Sequence, residues 1–253
     1  MKKIVLAAVV MALLLSASIA QEKPWEKWTK AEADKILDHS AWGQTQTDTD
    51  TSEMMYSPTS LSGGSSSTRA GVSGTQTDRQ SVNSNRVAQG ANNQAISVNY
   101  HVRLLSAKPV RQAFMRVIEL TQRTPDQELL DGLRSFVQRD FSEFIVVAVS
   151  FDSTDGRYSG PALQAFSTGT IGTLKNKTYL ERKDGKRVFL MQYQAPISDG
   201  LGAKFIFPRI VDEKKFLNAE SGSFRFYSEV NNQLKLNVTF KLSDMMYNGQ
   251  LEY

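Results

Sequence analysis

The chain has only two histidines, His39 and His101, and histidine is the side chain that most often binds zinc or shuttles protons. Neither has a second His, a Cys or a carboxylate at ligand spacing, and no His-Glu-x-x-His occurs, so no catalytic zinc site and no metal is expected. His39 is expected at a helix C-terminus, where a partial positive charge suits the dipole. His101 falls on the strand face opposite Tyr100 and Val102, which predicts exposure. Serine is abundant, yet Gly71-Val72-Ser73-Gly74 fails the Gly-x-Ser-x-Gly spacing of a nucleophile elbow and the mature chain has no Ser-x-x-Lys. The oxygen-rich runs Asp48-Thr49-Asp50 and Asp152-Ser153-Thr154-Asp155-Gly156 lack the Gly and Glu that complete an EF-hand loop, and Asp155-Gly156 reads as a turn. Gly169-Thr170-Ile171-Gly172 is too short for a phosphate loop. Carboxylate pairs for glycoside hydrolysis meet in space rather than in sequence, and no pair is nominated. Catalytic residues and cofactors are therefore expected to be none.

Two groups of residues suggest surfaces instead. Lys175, Lys177, Arg182, Lys183, Lys186 and Arg187 gather at a hairpin tip interrupted by Glu181 and Asp184. Lys183, Lys186 and Arg187 there would suit an anionic envelope polymer or lipid headgroups, against the plainer reading of a charged edge that discourages strand addition. Trp25, Trp28 and Trp42 are all the tryptophans of the chain. They would stack on a sugar or partner surface, or anchor a small helix to the domain, and anchoring is favoured.

The elements that must position these residues follow from periodicity. Thr29 and Glu32 have capping-box spacing, which predicts a helix over Lys30–His39 with Ala33, Ile36 and Leu37 on its apolar stripe. Ser, Thr, Gly, Gln and Asn dominate residues 44–95, a composition read as a disordered loop, although Gln44–Thr49 alternates as an edge strand would. Thr45-Gln46-Thr47-Asp48 returns as Thr75-Gln76-Thr77-Asp78, which such a composition produces by coincidence. Ile96–Leu105 reads as a strand. Pro109–Gln122 has helical period, with Val110, Phe114, Val117 and Thr121 inward and Arg111 and Arg116 on other faces. Thr124-Pro125-Asp126-Gln127 opens a second helix with Thr124 as cap. Its predicted buried face is Leu129, Leu130, Leu133, Phe136 and Val137. One or two helical turns are predicted over Pro161–Phe166, and strands over Phe144–Phe151, Tyr179–Lys183, Arg187–Tyr193, Ala203–Phe207, Ser223–Val230 and Leu234–Leu242. Asp184-Gly185 is a type I′ hairpin turn. Sequential strands with short turns predict an α+β fold, predominantly antiparallel β-sheet or a partly closed sandwich, with an inserted helical hairpin and a short N-terminal helix.

Lys2 and Lys3 precede an apolar run from Ile4 to Leu15, followed by Ser18-Ile19-Ala20. That is the pattern of a Sec signal with cleavage after Ala20, so a periplasmic or secreted protein is expected. The run is too short for a bilayer span, and no other stretch approaches the roughly 20 apolar residues one needs. The chain has no Cys, which removes disulfides and lipobox attachment. Removal of the two signal lysines lowers the net charge of +4 to about +2. Near-neutrality and an exported address both argue against a nucleic-acid partner. The expected organisation is a signal over 1–20, a Trp-rich helix segment over 21–43, a polar loop over 44–95 and an α+β core domain over 96–253.

The start Lys23-Pro24-Trp25-Glu26-Lys27-Trp28-Thr29-Lys30-Ala31-Glu32-Ala33, with Ile36-Leu37 and Ser40-Ala41-Trp42, resembles a family of uncharacterised exported bacterial proteins. Later segments carry the same resemblance: Ser106-Ala107-Lys108-Pro109-Val110-Arg111-Gln112-Ala113, Phe205-Ile206-Phe207-Pro208-Arg209, and Phe240-Lys241-Leu242-Ser243-Asp244-Met245 running to Gly249-Gln250-Leu251-Glu252. It implies export and a single core, and no catalytic residue. The function expected from sequence is an exported envelope protein acting as a non-enzymatic binding or interaction module for an envelope protein or polymer; the alternative is a periplasmic hydrolase with a carboxylate-based site.

Overall fold

The computed structural model describes residues 23–50, 96–122, 126–153 and 156–253. The signal, most of the polar loop with its second Thr-Gln-Thr-Asp copy, the Thr124-Pro125 cap and Asp155 lie outside the described residues.

A 3-10 turn at Trp25–Lys27 leads into α1 (Lys30–Asp38), capped reciprocally by Thr29 and Glu32 as the spacing predicts, with His39 as C-cap. The strand β1 (Gly43–Asp50) starts directly against the end of α1. A Cβ on Gly43 would lie 2.0 Å from the Leu37 carbonyl oxygen, so only glycine permits this approach. β1 is the edge of an antiparallel sheet in the order β1, β2 (Ile96–Leu104), β3 (Phe144–Ser153), β7 (Ala203–Pro208) and β6 (Gln192–Gln194). Between β2 and β3 the chain inserts α2 (Lys108–Thr121) and α3 (Gln127–Gln138). α4 (Gly156–Thr168) and the one-turn α5 (Ile171–Leu174) precede β4 (Thr178–Arg182) and β5 (Arg187–Phe189). The second antiparallel sheet has the order β11 (Lys235–Lys241), β10 (Ser223–Glu229), β4, β5. Two short ribbons complete the fold: β8 (Ile210–Val211) with β9 (Lys214–Lys215), and β12 (Met246–Tyr247) with β13 (Gln250–Leu251). The fold is thus α+β with antiparallel sheets and no closed barrel, as periodicity predicts.

Register dictates which side chains face the core. Val102 opposes Val149, and Val147 opposes Phe205. With a side-chain period of two, Tyr100, Val102, Leu104, Ile145, Val147, Val149, Phe205 and Phe207 therefore share one face, and all are buried. The second sheet turns Phe224, Phe226, Leu236, Val238 and Phe240 inward. Phe226 meets Phe205 edge-on at 5.4 Å and Phe207 at 6.2 Å, so the two sheets share one aromatic core. Phe166 of α4 is fully buried and stacks on Phe151.

Several expectations are corrected. The cap of α3 is Asp126, whose carboxylate accepts from the Glu128 N–H, rather than Thr124. Leu129 on that helix is exposed, because only Leu133 and Val137 meet Met115 of α2. Gly156 begins a 13-residue helix instead of closing a turn, and that helix continues through Pro161 because Ala162, Ala165 and Phe166 are buried along it. Arg111, expected on a solvent-facing side of its helix, is 5% exposed. A hairpin forms at Asp184-Gly185, but not through the expected type I′ turn: the Gly185 N–H closes the turn on the Arg182 carbonyl at 2.9 Å, and of the two residues only Gly185, at φ +83°, has positive φ.

Trp28 is buried against the helices, donates Nε1–H to the Lys23 carbonyl at 3.2 Å and accepts at its own carbonyl from Arg116 Nε at 2.8 Å. Trp28→Ala is predicted to destabilise the protein by about 3–5 kcal/mol in chemical denaturation. An unchanged unfolding midpoint would show that α1 is not anchored there.

Candidate functional site

A concentration of cations forms where five chain segments meet. The β2–α2 corner brings Ser106, Lys108 and Arg111; the α3–β3 loop brings Arg139, Asp140 and Phe141; the end of β7 brings Arg209; β9 brings Lys215; and the residue after β13 is Glu252. They line a cavity of about 350 Å³ holding five cationic side chains against two carboxylates.

Arg111 organises this cleft. Its Nε donates to the Val137 carbonyl at 3.3 Å, Nη1 to the carbonyls of Leu105 (3.1 Å) and Ser106, and Nη2 to that of Arg139 at 3.3 Å. Four backbone carbonyls thus hold the guanidinium, without a carboxylate in direct contact. Burial lowers its pKa to about 10, with Glu252 pulling it up and Arg209 pushing it down, so it stays cationic at neutral pH. The Phe141 ring lies 4.7 Å from its Cζ. Arg209 is also lowered by burial, and it stacks on Tyr253 at 4.2 Å while donating to the Tyr253 main-chain oxygen and, through Nε, to Phe144 O at 3.2 Å.

The two carboxylates have structural engagements. Asp140 accepts from the Ser142 N–H at 2.9 Å and hydroxyl at 2.7 Å, which hold its carboxyl below the usual range. Glu252 accepts from the Lys108 N–H at the start of α2 at 3.3 Å. The cleft therefore already receives one anionic group of its own chain at a helix N-terminus. Trp42 fixes this strand by donating Nε1–H to the Glu252 carbonyl at 2.8 Å.

The residues singled out from sequence lie elsewhere or act indirectly. Trp28 and Trp42 share the wall of a shallow depression with Lys35 and Tyr247, Trp25 packs on the core edge, and none of the basic hairpin residues lines that depression. Lys183, Lys186 and Arg187 are exposed, with Arg187 bonded to Glu181 at 2.6 Å and stacked on Tyr179. Sequence reasoning passed over the cleft, although three segments it quoted, 106–113, 205–209 and 240–252, converge there.

His101 departs from its expected exposure. On the outward face of the first sheet it is clamped by Asp38 Oδ1 at 2.9 Å through Nδ1 and Asp152 Oδ2 at 2.7 Å through Nε2, with Thr45 Oγ1 3.1 Å from Nδ1. Arg103 donates to the same Asp38 Oδ1 at 2.7 Å and to Ser150 Oγ at 2.8 Å. The hydrogen bond to Asp38 raises the His101 pKa against the opposing effect of burial, helped by Asp152. Burial would raise Asp38, yet His101 and Arg103 together hold it at about 2, and the His101 bond lowers Asp152. This is a clamp between α1, β2 and β3 on the outward face of the first sheet. Among the described residues, no group of three or more His, Cys, Asp or Glu side chains is arranged to hold a metal ion.

A histidine with a raised folded pKa contributes stability that is full below about 6.5, its unfolded value, and lost as pH rises through the folded value. The aspartates, lowered in the fold, contribute above about 3.8 and lose that as pH falls through their folded values. The stability difference between wild type and His101→Gln is thus predicted to be larger at pH 5.5 than at pH 9 in urea denaturation. A difference independent of pH would show that His101 is not protonated in the clamp.

Comparison of the chain with protein-family models, characterised proteins and solved structures finds no match.

Proposed function

We propose that the protein is an exported, non-enzymatic binding module whose ligand site is the cationic cleft around Arg111. The observation that carries this reading is the excess of cations there, one of them buried and hydrogen-bonded to four backbone carbonyls. Burying a cation without a contacting carboxylate is costly. An incoming anion recovers part of that cost through charge-assisted hydrogen bonds that arginine is shaped to donate. Export rests on the N-terminal signal pattern of residues 1–20.

The hydrolase alternative needs a carboxyl held protonated near neutral pH to act as general acid. Among the described residues, every carboxyl whose pKa is displaced is displaced downward: Glu32, Asp38, Asp140, Asp152, Glu181 and Glu229. That pattern suits fixed anions in ion pairs and supports binding over acid catalysis.

Isothermal titration with inorganic phosphate tests the reading. Saturable binding is expected, weakened at least ten-fold in the double variant Arg139→Ala/Lys215→Ala, whose side chains are exposed and whose melting temperature is expected to match the wild type. Absence of saturable binding to the wild type, or an unchanged affinity in the variant, contradicts it.

A further inference from the structure

Beside the cationic cleft lies a second cavity of about 390 Å³, and Arg139 and Phe141 line both. Its floor is the outward face of the first sheet. Val146 pairs with Ile206, and Phe144 with Pro208, which puts Phe144, Val146 and Ile206 on the side away from the aromatic core. Phe136 of α3 and Leu201 and Ile197 of the β6–β7 connection form its walls. Ile197 is 66% exposed and Phe144 is 37% exposed, an uncommon pair of large apolar side chains at the mouth of one cavity. The single ammonium in the apolar cavity, Lys204, is buried and already paired with Asp199 at 2.6 Å.

An apolar cavity next to a cation-rich one, with an arginine and a phenylalanine as their common wall, fits a ligand with two chemical halves. We propose that the ligand is an amphiphilic anion: a phosphate or carboxylate head held in the cleft around Arg111, and an alkyl or aryl body passing Arg139 and Phe141 to rest on Val146 and Ile206. This deepens the anion-binding reading and rests on it. Each cavity lies within the size range of small-molecule sites, and the charge complementarity selects the head while the apolar lining selects the body. Phosphate alone fills only the first cavity, and an uncharged alkyl chain only the second.

Titration of the full mature chain with octyl phosphate, inorganic phosphate and octanol, all below any micelle concentration, tests this. Octyl phosphate is expected to bind at least ten-fold more tightly than either of the others. Ile197→Glu, at an exposed position, is expected to remove that gain while leaving the affinity for inorganic phosphate unchanged. Lys215→Ala, at a residue that lines only the cationic cleft, should weaken octyl phosphate and leave octanol unaffected. If inorganic phosphate binds but octyl phosphate binds no tighter, the amphiphile proposal is overturned and the anion cleft stands. If octanol binds as tightly as octyl phosphate, the two cavities do not act on one ligand, which also overturns it. If inorganic phosphate does not bind the cleft, the anion reading fails first and the proposal falls with it.

Discussion

The guanidinium of Arg111 is the constraint around which the cleft and its surroundings are arranged. A cation buried on the inner side of a helix must find acceptors, and it finds them in the carbonyls of Leu105, Ser106, Val137 and Arg139. Those four groups belong to the corner after β2 and the end of α3. Satisfying one side chain thus holds the helical hairpin at the end of β2. The same bonds hold the positive charge without a carboxylate in contact among the described residues, and that imbalance supports the proposal that the cleft receives an anion.

The two sheets and the helices have separate tasks in this arrangement. The inward faces, joined through Phe205, Phe207 and Phe226, supply the apolar burial that holds the molecule together. The outward face of the first sheet is divided. At one end His101, Asp38, Asp152 and Arg103 form a polar clamp that fastens α1. At the other, Val146 and Ile206 remain apolar beneath Phe136 and Phe141 and open on the cleft. The C-terminal strand is drawn to the same place by Trp42 on the Glu252 carbonyl and by Arg209 on Tyr253. No helix among the described residues is long and apolar enough to cross a membrane.

The fold was largely legible because its signals are local. The Thr29–Glu32 box, the Asp184-Gly185 turn and the alternation through Phe224–Phe226 and Leu236–Phe240 each depend on neighbours a few residues away. The helix through Pro161 was underestimated because Gly156, Gly160 and Pro161 argue locally against a helix that burial of Phe166 supports. The site was not legible. Lys108, Arg139, Arg209, Lys215 and Glu252 come from separate elements, and nothing in their local sequence distinguishes them from solvated charges. Helical period placed Arg111 on a polar side of α2, and only the packing of α3 against that side reveals its burial. His101 was placed on the correct strand face, but its partners Asp38 and Asp152 arrive through the α1 docking and the β2–β3 register.

The central claim is that the cleft around Arg111, and not the exposed basic hairpin, receives the anion. The most direct measurement is a nuclear magnetic resonance titration of the 15N-labelled protein with inorganic phosphate, following backbone amides and arginine Nε–H signals. Saturating shifts confined to residues 106–111, 139–142, 209, 215 and 250–252 are predicted. Shifts that centre on Lys183, Lys186 and Arg187, or that spread over the surface without saturating, would contradict the account.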